Sequence, residues 1–330
     1  MSSKSVPEFQ AQELRENLAE RLRLRDTLEG GIGAAVVRDA VSEEELDAMR
    51  QEFADTIAAA RPKTGKVGGG PPGSNGCSIA KDCGFPQSVV AWTARLAVVW
   101  LYRLIYDVPE DDAMCTSMDA LFYCDGATKP STLKPHYDYS EHPESSAQKL
   151  RSRLRANGSP VSDAVQGILV LESTEGVGTV LDTTGLDEDE DRRKRRCGPQ
   201  PTDKNVKDAK SCFRILSGED LANREWSAPQ GGAGSLVLWN SRTAHSNRLP
   251  VGGKRKAAAV CWAPAYVSDE KVKKVKREQV ANGGGTNHWP NECCKNGSVN
   301  AYYNSPKQPD RYWKVPDARR QKLEEVERYL

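Results

Sequence analysis

The chain has 330 residues and a mass of 36.3 kDa, and its 47 basic residues nearly balance 46 acidic ones, which leaves a formal net charge of +1. That length is enough to bury one full hydrophobic core, and the balanced charge gives no electrostatic reason to expect a nucleic acid or an anionic membrane as partner. No apolar run approaches the roughly 20 residues that span a bilayer, so we expect no membrane segment. Small-molecule chemistry is the favoured expectation, and the oligomeric state stays open.

The cysteine content and the amino-terminal sequence indicate the cellular compartment. The nine cysteines are an odd number without zinc-ribbon spacing, and residues 1–8 lack the apolar core of a signal peptide. A disulfide-rich secreted scaffold is usually far shorter than this chain. We therefore expect reduced thiols and a cytoplasmic protein.

The first third of the chain predicts helices around one strand. Residues 8–28 carry leucines at every fourth position among charges, which indicates an amphipathic helix that ends near Gly30. A strand is predicted over residues 33–37, followed by a helix that opens with a capping box at residues 42–45. Residues 88–108 predict a further long helix.

A glycine-rich segment separates the last two of these helices. Residues 63–74 show no hydrophobic periodicity and too little apolar character to form a core. The segment matches no dinucleotide-binding or P-loop fingerprint, so the sequence gives little support for a phosphate-binding loop. We expect either a lid over a site or a surface loop.

From residue 118 the sequence changes to short segments rich in β-branched and aromatic residues, joined by glycine-rich or polar connections. This spacing predicts a β-barrel. The predicted strands comprise residues 118–123, the segment around position 136, and residues 167–171, 178–181, 213–216, 235–239 and 257–262.

Two further regions flank or interrupt the predicted strands. Residues 183–211 form a charged insert in which the acidic block 187–191 is followed at once by the basic block 192–196. Opposite blocks neutralise each other and are usually solvated, although the basic block alone would suit a nuclear signal or an anion site. Residues 266–330 are expected to form a C-terminal extension that wraps the barrel mouth.

Two histidines and one carboxylate have the composition of an iron site. His136 and Asp138 alternate along a predicted strand, so both side chains would face the same cavity. His245 lies 109 residues after His136 and follows a predicted strand, so a folded β scaffold would have to supply the third ligand. Two histidines and one carboxylate hold Fe(II) while leaving positions open for a co-substrate and O₂. The alternative is a His-x-Asp pair in a surface loop.

A cation follows the distal histidine. Arg255 lies ten residues after His245 and is predicted to face the same cavity from the next strand. A guanidinium binds a carboxylate through two hydrogen bonds, which would suit the far end of 2-oxoglutarate. The alternative is a solvated arginine in the basic run from Lys254 to Lys256.

The chain resembles the phytanoyl-CoA dioxygenase-like branch of the Fe(II)/2-oxoglutarate-dependent oxygenases, over roughly residues 32–290. Order and spacing of several segments make this resemblance more specific than any single motif. The segments that carry it are Ser117-Met118-Asp119-Ala120, Lys134-Pro135-His136-Tyr137-Asp138, Val165-Gln166-Gly167, the run from Leu238 to Arg248, and Thr286-Asn287-His288-Trp289-Pro290.

The resemblance implies a mainly β fold with flanking α-helices and a double-stranded β-helix (jelly-roll or cupin-like) core. The length of the chain favours one catalytic domain over residues 1–330, composed of an N-terminal helix (1–31), a helical and β-helix region (32–265) that includes the charged insert (183–211), and the C-terminal extension (266–330).

The resemblance also implies the cofactors and their residues. Iron would be bound by His136, Asp138 and His245, and 2-oxoglutarate by Arg255, with Gln166 as a second contact and O₂ as co-substrate. Family members commonly carry a hydroxyl residue two positions after the arginine, where this chain has Ala257. This departure puts Arg255 in question and makes Arg248 its substitute.

The implied activity is oxidation of an unactivated C–H bond of a small molecule, with hydroxylation, desaturation and oxidative cyclisation all open. The cations Lys134, Arg242 and Arg248 suggest a carboxylate-bearing amino-acid derivative, such as the N-prenylated glutamate that is closed into a kainoid ring, and His288 is a further candidate substrate contact. The alternatives are an acyl-CoA hydroxylase, an oxygenase acting on protein or nucleic acid, and a non-catalytic binding barrel.

Overall fold

Two facing β-sheets form the centre of the molecule, and helices cover one of them. The computed structural model describes residues 5–60, 77–80, 84–127, 131–200, 204, 210–222, 224–229, 231–292 and 315–330. The strands are β1 (Glu8–Gln10), β2 (Ala34–Arg38), β3 (Cys77–Ala80), β4 (Met114–Thr116), β5 (Leu121–Asp125), β6 (Ser131–Asp138), β7 (Val165–Ser173), β8 (Gly178–Asp182), β9 (Phe213–Ile215), β10 (Trp226–Ser227), β11 (Leu236–Asn240), β12 (His245–Leu249), β13 (Lys254–Val260) and β14 (Trp262–Pro264).

The strand order is that of a double-stranded β-helix. One sheet has seven strands in the order β1-β2-β11-β7-β13-β5-β3, and the facing sheet has five in the order β10-β8-β12-β6-β9. Strands β5, β7, β11 and β13 belong to the first sheet, and β6, β8, β10 and β12 to the second, so the chain repeatedly crosses between them. The ladders that join these eight strands are antiparallel. The predicted fold class is confirmed.

The helices within the described residues are α1 (Ala11–Glu16), α2 (Leu18–Glu29), α3 (Glu43–Ala60), α4 (Val89–Ala97), α5 (Val99–Tyr106), α6 (Ser146–Ala156), α7 (Glu190–Cys197), α8 (Gly218–Leu221), α9 (Glu270–Asn282) and α10 (Leu323–Val326). Among them α2, α3 and α4 contact strands of the seven-stranded sheet.

Alternation along the strands of the larger sheet separates two apolar cores. Leu169 and Leu171 on β7 belong to the core that includes α2, α3 and α5, whereas Ile168 and Val170 face the barrel interior. Both faces of β7 are therefore buried, which explains its continuous apolar sequence. The larger core anchors the sheet, and the smaller one borders the cavity described below.

Both long helices predicted from the sequence are interrupted. Residues 8–10 form β1, which pairs with β2, and the helix that follows breaks at Asn17, whose side chain accepts a hydrogen bond of 2.9 Å from the backbone of Ala19. Asparagine competes with helical backbone bonds and favours such N-cap positions. The second helix breaks at Val98, where two β-branched valines are adjacent. The predicted capping box at Ser42 is present.

One stretch has the length and apolar composition of a membrane span, contrary to the sequence expectation. It runs from Val89 to Tyr106, and 56% of it is buried inside the molecule. Two of its largest side chains, Trp92 and Tyr102, are fully buried. Burial of this kind is typical of core helices, and α4 and α5 contribute to the hydrophobic core.

Cysteine states differ from the expectation at one position. Cys115, Cys197, Cys212 and Cys261 are free thiols. Cys124 on β5 is bonded in a disulfide, so the prediction of reduced thiols is wrong for this residue. The predicted glycine-rich lid lies outside the described residues.

Candidate metal centre

Three ligand side chains meet between the two sheets. His136 and Asp138 alternate on β6 and face the barrel interior, and His245 opens β12 directly opposite His136 in the antiparallel ladder. His245 Nε2 lies 3.1 Å from Asp138 Oδ2, and His136 Nε2 lies 3.9 Å from Asp138 Oδ1. The ligand atoms of all three residues lie within 4.8 Å of one another. Neighbouring ligands of a metal with bonds of about 2.1 Å are about 3 Å apart, so small adjustments suffice to bind one ion.

Backbone carbonyls set the orientation of both histidine rings. Nδ1 of His136 lies 2.8 Å from the carbonyl of Lys134, and Nδ1 of His245 lies 3.1 Å from the carbonyl of Thr243. A carbonyl only accepts hydrogen bonds, so each Nδ1 carries the proton and donates it. Each Nε2 therefore presents a lone pair towards Asp138, as metal-binding histidines do.

Burial and charge favour the ligating protonation states. Burial lowers the pKa of His136 to about 4, so its ring is neutral at neutral pH. Burial alone would raise the pKa of Asp138, but His288, His245 and His136 more than offset this effect and hold that pKa well below its ordinary value. A neutral His136 ring and an ionised Asp138 are the protonation states in which these two groups bind a divalent cation.

A cavity of about 120 Å³ surrounds the ligand atoms. Gln166 on β7 reaches across from the larger sheet and donates a hydrogen bond of 3.2 Å to Asp138 Oδ2. This bond orients the carboxylate, so the most direct role of Gln166 is to position a metal ligand. The lining residues are Ser117, Asp119, Phe122, Leu133, His136, Asp138, Gln166, Gly167, Ile168, Thr179, Phe213, Trp239, His245, Asn247, Ala259, Val260, Cys261 and His288.

Arg255 lies buried behind one end of this cavity. Its guanidinium donates to Asn247 Oδ1 at 2.9 Å and to Thr179 Oγ1 at 3.3 Å, and it lies 4.6 Å from the ring centre of Phe122. Within the part of the chain that the structure describes, no carboxylate lies within 4 Å of it. Burial lowers the pKa of Arg255 to about 10, which keeps it charged at neutral pH. A buried cation with only neutral partners is a suitable site for a carboxylate ligand.

The other cations singled out in the sequence do not reach the cavity. Lys134 and Arg248 are exposed. Arg248 follows Asn247 on β12, and strand alternation turns it to the opposite face. Arg242 is buried, but it forms an ion pair of 2.7 Å with Asp163 and donates to the carbonyl of Glu29. Of the two arginines considered for 2-oxoglutarate, Arg255 is the one beside the cavity.

Most of the lining residues had no role assigned from the sequence, and Phe213, Trp239, Ser117 and Asp119 are among them. The Phe213 ring lies 4.6 Å from the His136 ring, and Trp239 lies 5.1 Å from His245. Ser117 and Asp119 reach the cavity from the segment before β5. Ser117 lies just before the predicted strand over residues 118–123 and Asp119 lies within it, whereas the observed strand β5 begins only at Leu121.

His288 is the predicted substrate residue that does line the cavity. Its Nε2 lies 3.5 Å from Asp138 Oδ2, and its Nδ1 lies 3.8 Å from Asp119 Oδ2. Thr286 fixes the segment, because its backbone N–H donates to the carbonyl of Met118 and its hydroxyl accepts from the Met118 N–H, both at 2.8 Å. The C-terminal region thereby contributes directly to the site.

A buried charged group supports the metal ligands from behind, and we call it the Arg224 cluster. It consists of Tyr137, Asp182, Asp189 and Arg224. The Tyr137 hydroxyl donates to Asp189 and accepts from Arg224, which also pairs with Asp182 and Asp189. Tyr137 lies between the ligands His136 and Asp138 in the sequence. The backbone N–H of Asp182 donates to the carbonyl of Ala244, the residue before the third ligand, His245. One member of the predicted solvated acidic block, Asp189, is therefore buried.

No protein-family profile and no curated protein sequence matches the chain. Similarity is found among solved structures. The GlcNAc-inducible gene 2 product (DUF1479) of Candida albicans has a TM-score of 0.61 at 12% identity, over 98% of this chain and 79% of its own. A hypothetical protein from Escherichia coli has a TM-score of 0.57 at 16% identity, over 88% and 80%. At such identities the likeness concerns the fold alone.

Proposed function

We propose that this protein is an Fe(II)/2-oxoglutarate-dependent dioxygenase. The observation that carries the proposal is the meeting of His136, Asp138 and His245 in one cavity, with both Nε2 atoms directed towards the carboxylate. Three ligands on one side leave room for the 2-oxoacid group of the co-substrate and for O₂. Arg255 supports the same assignment, because it offers a buried guanidinium to the distal carboxylate.

The chain's own residues would bind, orient and shield the reactants. Bound together, Fe(II), 2-oxoglutarate and O₂ supply an oxidant able to break an unactivated C–H bond. The two carbonyls behind the histidines hold the rings, and Gln166 holds the carboxylate. Apolar walls, including Ile168 and Ala259, limit access of water to the reacting centre.

The finer assignments extend this proposal. Within the class, the sequence motifs favour the phytanoyl-CoA dioxygenase-like branch and a small-molecule substrate of specialised metabolism, handled by a cytoplasmic enzyme. Because Lys134, Arg242 and Arg248 do not line the cavity, the kainoid precursor loses the cations on which it rested. Hydroxylation, desaturation and cyclisation share this site chemistry, and the pocket around the C–H bond selects among them.

The direct test is an anaerobic titration of the purified chain with Fe(II) and 2-oxoglutarate, followed by the metal-to-ligand charge-transfer absorption band. We expect a saturable band in the wild-type protein and none in His136→Ala. A matched control is His142→Ala, which removes a half-buried histidine that does not line the cavity. That variant should retain the band.

Two results would contradict the proposal. One is a folded, iron-loaded wild-type protein without the band. The other is a band that survives in His136→Ala at the same 2-oxoglutarate concentration. The first result would leave a cavity that binds a ligand without oxidising it, and the second would remove His136 from the set of metal ligands.

A further inference from the structure

Two neutral polar side chains, Thr179 and Asn247, line the end of the cavity that lies in front of Arg255, and we call them the Thr179–Asn247 pair. The guanidinium of Arg255 contacts both from behind. Thr179 on β8 and Asn247 on β12 are directly opposite each other in the antiparallel ladder. Side chains of opposed residues on one face of a sheet lie about 5 Å apart, so one small group can contact both.

Arg255 determines which atoms of the Thr179–Asn247 pair remain available as donors. A guanidinium has only donors, so Thr179 Oγ1 at 3.3 Å and Asn247 Oδ1 at 2.9 Å are acceptors in these contacts. The contacts therefore use neither the proton of the Thr179 hydroxyl nor the amide nitrogen of Asn247. Within the described residues, neither group donates a hydrogen bond to another part of the protein.

The available donors and the cation behind them favour an anion at this end of the cavity. Arg255 has no ion-pair partner among the residues that the structure describes, and its buried Nε has no hydrogen-bond partner. Hydrogen bonds to an ionised group are stronger than those between neutral groups. A hydroxyl and an amide beside an unneutralised guanidinium thus suit a carboxylate better than a neutral or cationic group.

The spacing along the strands relates the Thr179–Asn247 pair to the metal ligands. Asn247 is two residues after His245 on β12, and Thr179 is two residues before Leu181, which pairs with His245. At about 3.4 Å per residue, this separation is about 7 Å along the strands. A carboxylate at the pair and a group bound at the metal can therefore belong to one short dicarboxylate.

We propose that Thr179 and Asn247 bind the distal carboxylate of 2-oxoglutarate directly, through the hydroxyl O–H and the amide N–H, while Arg255 orients both groups and supplies the charge. This assignment deepens the proposed function and rests on it for the identity of the dicarboxylate. The side chains that form the site are in place without a metal. The hydroxyl that position 257 lacks is thereby supplied by Thr179 from the facing sheet.

The test measures binding of dicarboxylates by isothermal titration calorimetry in two forms of the protein. The Ni(II)-loaded chain is titrated with 2-oxoglutarate, and the metal-free chain with glutarate, which lacks the 2-oxo group. For Thr179→Val we expect the dissociation constant to rise at least about tenfold in both titrations, because a hydrogen bond to a charged group is lost. Thr179→Ser keeps the hydroxyl and should stay within about threefold of the wild type.

A second variant tests the amide. Asn247→Asp has nearly the same shape, but it removes the N–H donors and places a negative charge beside the ligand, so both dissociation constants should rise at least about tenfold. Thr56→Val is the matched control, because Thr56 is fully buried on α3, bonds to Glu52 at 3.2 Å and does not line the cavity. It should keep both affinities. Circular dichroism verifies that each variant is folded.

The proposal is overturned if neither dicarboxylate binds the wild-type chain, or if Thr179→Val or Asn247→Asp binds both as tightly as the wild type. It is also overturned if Thr179→Ser loses as much affinity as Thr179→Val, since the hydroxyl would then not be the group that binds. The glutarate titration keeps these outcomes separate from the proposed function.

Glutarate binding that depends on Thr179, without a charge-transfer band in the iron titration, would leave a carboxylate-binding barrel and support the proposed site alone. The band, with affinities that Thr179→Val does not change, would leave an oxygenase in which Thr179 does not contact the co-substrate.

Discussion

His136 and Arg255 are both buried ionisable residues, and their surroundings direct them to different partners. His136 is neutral, oriented by a backbone carbonyl, and presents a lone pair to the cavity. Arg255 remains charged and is surrounded by a hydroxyl, an amide and an aromatic ring. The first suits a metal ion and the second an anion, and the strands place them in one barrel.

Removing the buried guanidinium should weaken binding of 2-oxoglutarate. For Arg255→Gln we expect the dissociation constant to rise at least about 30-fold, because loss of one partner of a buried charge pair costs about 2 kcal/mol or more. The measurement is the 2-oxoglutarate dependence of the charge-transfer band. Arg248→Gln is the control, since Arg248 is exposed, and its constant should match the wild type. Equal effects of the two substitutions would remove Arg255 from the binding site.

The low pKa of His136 predicts a loss of stability in mild acid. Its pKa is about 4 in the folded protein and about 6.5 in the unfolded chain, so the unfolded chain binds the extra proton first. The free energy of unfolding of the metal-free protein should therefore fall as the pH drops from about 6.5 towards 4, with about 2 kcal/mol of this loss between pH 7 and 5. Urea unfolding of wild type and His136→Asn measures it. The variant should lack this part of the slope, and identical slopes would disprove the assignment.

At the scale of residues, the sequence predicts ligands better than substrate contacts. His136, Asp138 and His245 were predictable because strand alternation is periodic and the motif is specific. Arg242 and Arg248 could not be assigned, because an ion pair with Asp163 and the outward face of β12 depend on the folded chain. The same holds for Asp119, whose approach to His288 joins segments far apart in sequence.

Among the elements, β6 depends on contacts with the charged insert. Tyr137 points away from the cavity and is held by Asp189, just before α7, and by Arg224. Arg224 also binds Asp182 at the end of β8. The Arg224 cluster therefore fixes two neighbours of β12 and limits movement of the ligands that these strands carry.

Loss of the Tyr137 hydroxyl should affect both stability and metal binding. For Tyr137→Phe we expect about 1–3 kcal/mol lower free energy of unfolding, because buried partners lose a hydrogen bond, together with weaker Ni(II) affinity. Tyr106→Phe is the comparison, since its buried hydroxyl bonds to the backbone of Asp163 and Val165 away from the ligands. That variant should lose stability but keep its metal affinity. Equal metal affinities in the two variants would show that the cluster does not position the ligands.

Elements with strong local signals were predicted closely, and those that depend on tertiary contacts were not. The strand over residues 34–38 and the helix that opens at Ser42 have a clear pattern and a capping box. The apolar pattern continues on both sides of the breaks at Asn17 and Val98. Hydrophobic periodicity therefore predicts one continuous helix at each place, where the structure has two. The helix α7 within the charged insert is stabilised by Asp189 and Arg193, which are buried against the barrel.

At the scale of the whole molecule, the two sheets contribute different residues to the candidate site. The five-stranded sheet carries the three metal ligands, and the seven-stranded sheet carries Arg255 and Gln166. A co-substrate that spans from the metal to Arg255 would connect the sheets. Bound cofactors should therefore stabilise the barrel as a unit.

Thermal unfolding tests this linkage. With Ni(II) and 2-oxoglutarate each at about 100 times its dissociation constant, each ligand adds about 2.7 kcal/mol, which for a chain of this size corresponds to a rise in Tm of about 4 °C. We expect the rise from 2-oxoglutarate to require Ni(II) in the wild type and to shrink to about 1 °C or less in Arg255→Gln at the same concentration. A rise from 2-oxoglutarate that is unchanged in this variant would argue against the linkage.

The direct pairing of His245 with His136 has a consequence for how such a chain diverges. The pairing of β6 and β12 sets the distance between His136 and His245. The length of the chain between these two strands does not affect that distance. Insertions between α7 and β9 therefore preserve the ligand geometry, whereas one extra residue at the start of β12 would turn His245 to the outer face. A change in the length of these connections can thus leave the three candidate ligands at the same distances from one another.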